Sequence, residues 1–251
     1  MSQTKGTIFD AIRRNDNELI LKIISNGVQI EDKDEHGDTP LIVAASISRI
    51  KSLRIFIESK ANIEARGFLG RTALLQAAQS GHSECMKELL IHGANIESRD
   101  DDGCSALTLA AHSGHFESIR VLINHGADIN GKGHLERTAL GWAASNGYIK
   151  CLVFLLQHGA KINEVDECGN TSLHNAVNFK HEECVKVLLL QTTIDLKKKN
   201  NKGEIAMDIA KRKGLSDFIT MLNDPAKARR NIVEGLYFNA THKDRSIVSG
   251  P

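Results

Sequence analysis

Eleven histidines and five cysteines are the groups in this 251-residue chain best suited to holding a metal or acting as nucleophiles, and their spacing argues against both. Structural zinc needs ligands grouped in close pairs, a few residues apart. His82, His115 and His181 recur instead at multiples of 33 residues, as do His92, His125 and His158. Asp100-Asp101-Asp102 lacks the spaced oxygens and central glycine of a calcium loop, so it reads as a solvated turn. There is no nucleophile motif, phosphate-cradling loop or dinucleotide fingerprint. Cys104 and His112 are the one imaginable dyad. The reading is no catalytic residue, no metal and no cofactor.

The elements that position these residues follow from the same spacing. Leu107 recurs as Leu41, Leu74, Leu140 and Leu173, and Ala110 recurs as Ala44, Ala77, Ala143 and Ala176, all 33 residues apart. Such phase lock over several cycles marks a repeat array. Within residues 100–132, Leu107, Ala110 and Ala111 form one helical face, while Ile119, Leu122 and Ile123 form a second. Each unit is therefore a helix pair. The Ser113-Gly114 step breaks the first helix, Gly126 stands where a left-handed residue ends the second, and a turn with Gly103 links units. Catalysis is excluded further, because such an array has no enclosed pocket.

Thr39-Pro40-Leu41 and Thr171-Ser172-Leu173-His174 partly match a T-P-L-H-x-A signature. Gly81-His82 and Gly114-His115 supply the Gly-His step, and Gly93-Ala94, Gly126-Ala127 and Gly159-Ala160 the G-A-[DN]-[IV] end. In these motifs and in its period the chain resembles the ankyrin repeat family over about nine-tenths of its length. The resemblance implies an all-α solenoid of stacked helix pairs with projecting β-hairpin finger turns, about seven units including caps. The expected division is an amino-terminal capping unit at 1–33, five repeats at 34–66, 67–99, 100–132, 133–165 and 166–199, a carboxy-terminal cap at 200–224, and a mobile tail at 225–251. Family usage also assigns both histidine columns to turn and inter-repeat hydrogen bonds.

Bulk composition narrows the function. With 32 basic residues against 31 acidic, no global field draws the chain to nucleic acid or membrane. No run approaches the roughly 18 apolar residues of a membrane span. Met1 to Asp10 lacks the apolar core of a signal peptide, so nothing exports the protein by that route. Cys85, Cys151 and Cys184 share one column; stacked units lie roughly 8 to 10 Å apart, beyond disulfide reach, so these read as core thiols in a reducing compartment. Cys104 and Cys168, in turns two units apart, are not expected to pair either.

Several units depart from the pattern. Lys60 takes the left-handed glycine position and Ser48-Arg49 replaces Gly-His, which predicts that repeat 34–66 is less stable than the next two. Thr192-Thr193 replaces Gly-Ala, so that turn must take another path. Pro225 is read as the end of the last helix, with 226–230 able to extend a short one. Beyond it Leu236-Tyr237-Phe238 is the only apolar cluster, and Asn239-Ala240-Thr241 is a glycosylation acceptor of little meaning in a cytosolic chain.

Repeats 67–99 and 133–165 share an opening, Gly67-Phe68-Leu69 with Arg71 and Gly133-His134-Leu135 with Arg137. Apolar residues at finger positions have two readings: anchors of a binding surface, or tips that lean on each other. Trp142 follows Gly141 in a column that is not consistently apolar, and either lines the inner surface or fills the gap left by that glycine. The most variable surface columns supply the candidate protein-binding residues Phe68, Leu69, Arg71, Gln79, Asp101, Asp102, His112, Leu135, Arg137, Trp142, Ser145, Asn146 and Phe179.

The family resemblance implies a protein-protein interaction scaffold that is not an enzyme, binds one protein partner and no small-molecule substrate, and acts as a cytoplasmic monomer. The nucleus or a host cell's cytosol are alternative locations. Alternative functions are a regulatory inhibitor of an enzyme, an effector delivered into a host cell by an intracellular bacterium, or nucleic-acid binding through the basic end around Lys197-Lys198-Lys199 and Lys211-Arg212-Lys213. The resemblance also marks Asn130 and Asn163 for hydroxylation, since an asparagine in the turn after the second helix is the family's acceptor.

Overall fold

A computed structural model describes residues 3–230 of the chain. Met1 and Ser2 lie outside the described residues, as do Leu236-Tyr237-Phe238 and Asn239-Ala240-Thr241. Helices come in pairs: α1 (Gln3–Arg14) with α2 (Asn17–Ser25), α3 (Pro40–Ser46) with α4 (Ile50–Glu58), α5 (Ala73–Ser80) with α6 (Ser83–Ile91), and α7 (Ala106–Ser113) with α8 (Phe116–Asn124). They continue with α9 (Ala139–Asn146) and α10 (Ile149–Gln157), α11 (Ser172–Asn178) and α12 (Glu182–Leu190), and α13 (Ala206–Arg212) and α14 (Ser216–Asn223). First helices pack on first helices along the stack and second helices on second helices.

Local chemistry sets both ends of each first helix. The hydroxyls of Thr39, Thr72, Ser105, Thr138 and Thr171 accept from the backbone N–H three residues on, which satisfies one orphan donor per helix. Gly81, Gly114 and Gly147 end α5, α7 and α9 in the left-handed conformation. Ser48 and Lys180 hold that conformation without being glycine, as does Lys60 after α4. The columns Leu41/Leu74/Leu107/Leu140/Leu173 and Ala44/Ala77/Ala110/Ala143/Ala176 are buried throughout, the alanines allowing close approach of neighbouring first helices.

Polar ladders tie unit to unit. Lys33 donates to the Arg66 carbonyl (2.7 Å), Arg66 to that of Arg99 (2.8 Å), Arg99 to that of Lys132, and Lys132 to that of Val165 (2.9 Å). His82, His115 and His181 each donate Nε2–H to a carbonyl of the previous unit, at Ser46, Gln79 and Ser145. His92, His125 and His158 instead hydrogen-bond through Nδ1 to the carbonyl four residues back, capping their own helices. Cys85, Cys151 and Cys184 are buried, free thiols, pushed up to about 11 by desolvation.

The region after α14 continues in the short helix that the sequence allows. Residues 225–230 are helical, Pro225 sits in the first turn, and Asp224 caps it by accepting from Lys227 N–H (2.9 Å). Ala228 is buried, and Arg229 donates to the carbonyls of Leu189 (2.6 Å) and Gln191 (3.2 Å). The first belongs to the last turn of α12 and the second to its capping residue Gln191, which is extended where the sequence has lost its glycine. A guanidinium replaces the left-handed turn as the cap.

Candidate protein-binding surface

The units link through turns of two kinds. At Asp34, Asp100, Asp166 and Asn200 the side chain accepts N–H groups from its own turn, and the glycine three residues on is left-handed at Gly37, Gly103, Gly169 and Gly203. Where the opening is Gly67 or Gly133 this device is missing. There the backbone makes a tighter tip, with Leu69 (φ 55°, ψ 27°) followed by Gly70 (φ 66°), and Leu135 (φ 60°, ψ 27°) followed by Glu136 (φ 53°). Two successive left-handed residues closed by Arg71 N–H to Phe68 C=O and Arg137 N–H to His134 C=O make a type I′ turn. Such turns ordinarily use Asn-Gly or Asp-Gly, whereas these place a leucine at the apex.

The glycines before these tips permit close approach to the preceding unit. A Cβ on Gly67 would stand 2.0 Å from Asp38 Oδ1, and one on Gly133 2.8 Å from Thr108 Oγ1. Phe68 N–H then donates to Asp38 Oδ1 (2.8 Å), and burial raises the pKa of that carboxyl against the opposing effect of this bond. On the far side, Leu69 C=O accepts from Asp101 N–H (3.0 Å) and Leu135 C=O from Glu167 N–H (2.9 Å). Each apolar tip thus leans on the next turn.

Arg71 and Arg137 reinforce that pairing and do not flank the tips as free charges. Arg71 Nε donates to Asp100 Oδ2 at 3.2 Å, and Arg137 to Asp166 Oδ2 at 2.9 Å. Both carboxylates are buried, Asp100 with 5% of its surface exposed, so the acidic run is not wholly a solvated turn; only Asp101 and Asp102 face water. Arg137 also settles the environment of Trp142. A Cβ on Gly141 would meet Arg137 Cγ at 2.7 Å, so the arginine stem fills the space beside that glycine. Its guanidinium carbon lies 4.4 Å over the Trp142 ring, and His112 meets the same ring edge-on at 4.6 Å.

These groups converge on a cleft of about 250 Å³ between the turns and first helices of three consecutive units. It is lined by Arg71, Gln79, Asp102, Cys104, Leu109, His112, His134 and Trp142. The lining includes five of the candidates drawn from sequence. His112 is held towards its neutral form first by burial, then by Arg137, Arg71 and His134. Cys104, Leu109 and His134 were not singled out for this surface; the first two are apolar and buried, and His134 belongs to an opening read for its leucine.

The remaining candidates lie elsewhere. Phe68 and Leu69 are 56% and 39% exposed at the tip, and Leu135 is half-buried. Asn146 donates to the His112 carbonyl (2.8 Å) and Gln79 to Ser113 Oγ (2.7 Å), so both also join units. Phe179 is exposed at the end of α11, far along the stack. Ser145 is buried, its carbonyl taken by His181, and cannot meet a partner. Asn130 Oδ1 accepts from Lys161 N–H (2.8 Å), and Asn163 bridges Thr193 C=O and Asp195 N–H. Glu31, Glu64 and Glu97 make the same bond to the next unit in their places.

Among the described residues, no three acidic, histidine or cysteine side chains gather as metal ligands, and no helix is long and apolar enough to cross a membrane. The geometry defines a helix-pair solenoid whose turns and first helices present a continuous surface. Family models agree: one described as ankyrin repeats (3 copies) matches residues 8–100 and 88–166, and a single ankyrin repeat matches 168–201. The chain belongs to the ankyrin repeat family, whose members are generally protein-interaction modules and typically not enzymes. A search of curated proteins found no match.

Proposed function

We propose that this chain is a cytoplasmic, monomeric interaction module that binds one protein partner through the cleft around Trp142 and the adjoining fingertips. The observation that carries this reading is the pose of Trp142, half-buried at a position its fold does not require to be aromatic and fixed between His112 and Arg137. A large aromatic held in one orientation loses little entropy on binding, which is the behaviour of an interface anchor. The apolar tip Phe68-Leu69 belongs to the first of the three units that line the cleft, two units before Trp142, and Asp102 lies on the rim. Of the basic end, Arg212 is paired with Glu204 (2.9 Å) and Lys213 donates to the Asn178 carbonyl (2.8 Å), while Lys197, Lys198, Lys199 and Lys211 remain exposed, so the nucleic-acid alternative is left to a direct binding test.

The test is affinity capture followed by quantitative binding of whatever is recovered. Trp142→Ala and the triple Phe68→Ser, Leu69→Ser, Leu135→Ser are each expected to abolish capture with helical content unchanged. Deletion of residues 231–251 is expected to change affinity less than tenfold, below about 1.4 kcal/mol. Loss of binding on that deletion, with the triple variant unaffected, would move recognition to the tail and favour an inhibitor acting through it.

A further inference from the structure

We infer that the partner of this surface is an extended segment carrying lysine or arginine between apolar residues, laid along the row of fingertips. The inference rests on the interaction reading and adds the chemistry of what is bound. Its starting point is strain: Leu69, Leu135 and Glu136 hold a left-handed backbone that disfavours every residue but glycine, asparagine and aspartate. The fold does not require this geometry, because the turns at Asp34, Asp100 and Asp166 make the same connection with an ordinary glycine. The strained tips project leucine where the others do not, and strain of this kind gathers where a side chain must be presented.

Charge decides what accompanies the apolar contacts. Arg71 and Arg137 are already neutralised by Asp100 and Asp166. What the row offers to solvent is then acidic in balance: Asp101, Asp102, Glu136 and Glu167 are exposed against one exposed guanidinium, Arg66, which donates to the Gly70 carbonyl (3.0 Å) and lies 3.8 Å from Asp101. The order along the stack is apolar, acidic, apolar, acidic. A basic segment gains attraction there and an acidic one is repelled. Neighbouring units are roughly 8 to 10 Å apart, so the two leucine tips are separated by roughly 16 to 20 Å. An extended chain advances about 3.3 Å per residue, which places its apolar residues roughly five or six apart with the basic ones between.

The experiment uses fluorescein-labelled peptides on the full chain: one with two leucines six residues apart and lysine and arginine between them, a charge-reversed version with glutamates, and a scramble with the leucines adjacent. Oligouridine RNA is a fourth probe. The basic, spaced peptide is expected to bind at least tenfold more tightly than the other three, with affinity falling as salt rises. Asp101→Asn with Asp102→Asn is expected to weaken it tenfold, and Leu69→Ser with Leu135→Ser to remove the preference for spacing. Equal or tighter binding of the charge-reversed peptide or the RNA, or no binding of the basic one, overturns the inference. If protein capture still depends on Trp142 and the three tip residues in that case, the interaction reading stands with different partner chemistry; if capture is indifferent to them, both fall.

Discussion

Replacing Leu135 by asparagine and Glu136 by glycine converts the fifth unit's tip to the Asn-Gly sequence that a type I′ turn prefers, and the expected result is a more stable protein that binds less well. A non-glycine residue in the left-handed region costs about 1–2 kcal/mol, so Leu135 (φ 60°) and Glu136 (φ 53°) together store about 2–4 kcal/mol. Two terms offset the relief. The new glycine loses about 0.5–1 kcal/mol of backbone entropy on folding, and half-buried Leu135 gives up about 1 kcal/mol of apolar burial. The net gain is about 1 kcal/mol. Urea denaturation followed by circular dichroism reads it, with Leu69→Asn as an internal comparison: Gly70 is already present there, so the gain is smaller. A double variant less stable than wild type by 1 kcal/mol or more, or a larger gain at Leu69, would show that the tips are not strained as argued.

Four further outcomes are expected. Leu107→Ala, a truncation at a side chain only 2% exposed in mid-stack, is expected to cost about 2–5 kcal/mol in chemical denaturation, whereas Lys60→Gly, at φ 69°, is neutral or stabilising. Arg229→Ala removes the donor to the Leu189 and Gln191 carbonyls at the end of α12 and is expected to lower stability by about 1 kcal/mol and to speed hydrogen exchange near Leu189, while Lys227→Ala does neither. Buried His174 accepts from Thr171 N–H at Nδ1 (3.2 Å) and donates from Nε2 to Glu204 C=O (3.1 Å), a pattern that only the neutral ring satisfies, and burial lowers its pKa below 6.5. Because the unfolded chain then binds the extra proton, its contribution is present above that value and is lost as pH falls below it; urea midpoints at several pH values are expected to show a shallower slope in His174→Gln. Incubation with an ankyrin-directed asparaginyl oxygenase is expected to add one oxygen at Asn130 or Asn163, seen by intact mass and peptide mapping, and no added oxygen at either removes that assignment.

The helix pairs were legible because packing repeats itself: leucine and alanine columns recur at a fixed step, and each threonine or serine cap marks a helix start. The fingertips were legible as anomalies but not as structures. That Arg71 serves Asp100 and Arg137 serves Asp166 depends on which turn lies beside which, a register between units that one repeat does not contain, although the alternation of Gly67, Asp100, Gly133 and Asp166 is its visible trace. Ser145 looked available because its column is variable, yet the His181 ring covers it from the next unit. Residues 226–230 were legible as a short helix but not as a docked one, because Arg229 caps a defect about forty residues upstream, at the lost glycine after α12.

The alternating tips also fix how such an array can grow. A leucine tip needs an aspartate turn after it, to accept its arginine and to donate to its apical carbonyl, so the smallest self-consistent module is two units and not one. Duplicating a leucine-tip unit would set two such tips side by side and leave an arginine without its counterion, whereas turns of the Asp and Asn kind already follow one another at Asp166 and Asn200. A leucine-tip unit is therefore transferable only together with the aspartate-turn unit that follows it, whereas an aspartate-turn unit carries no such dependence on its successor.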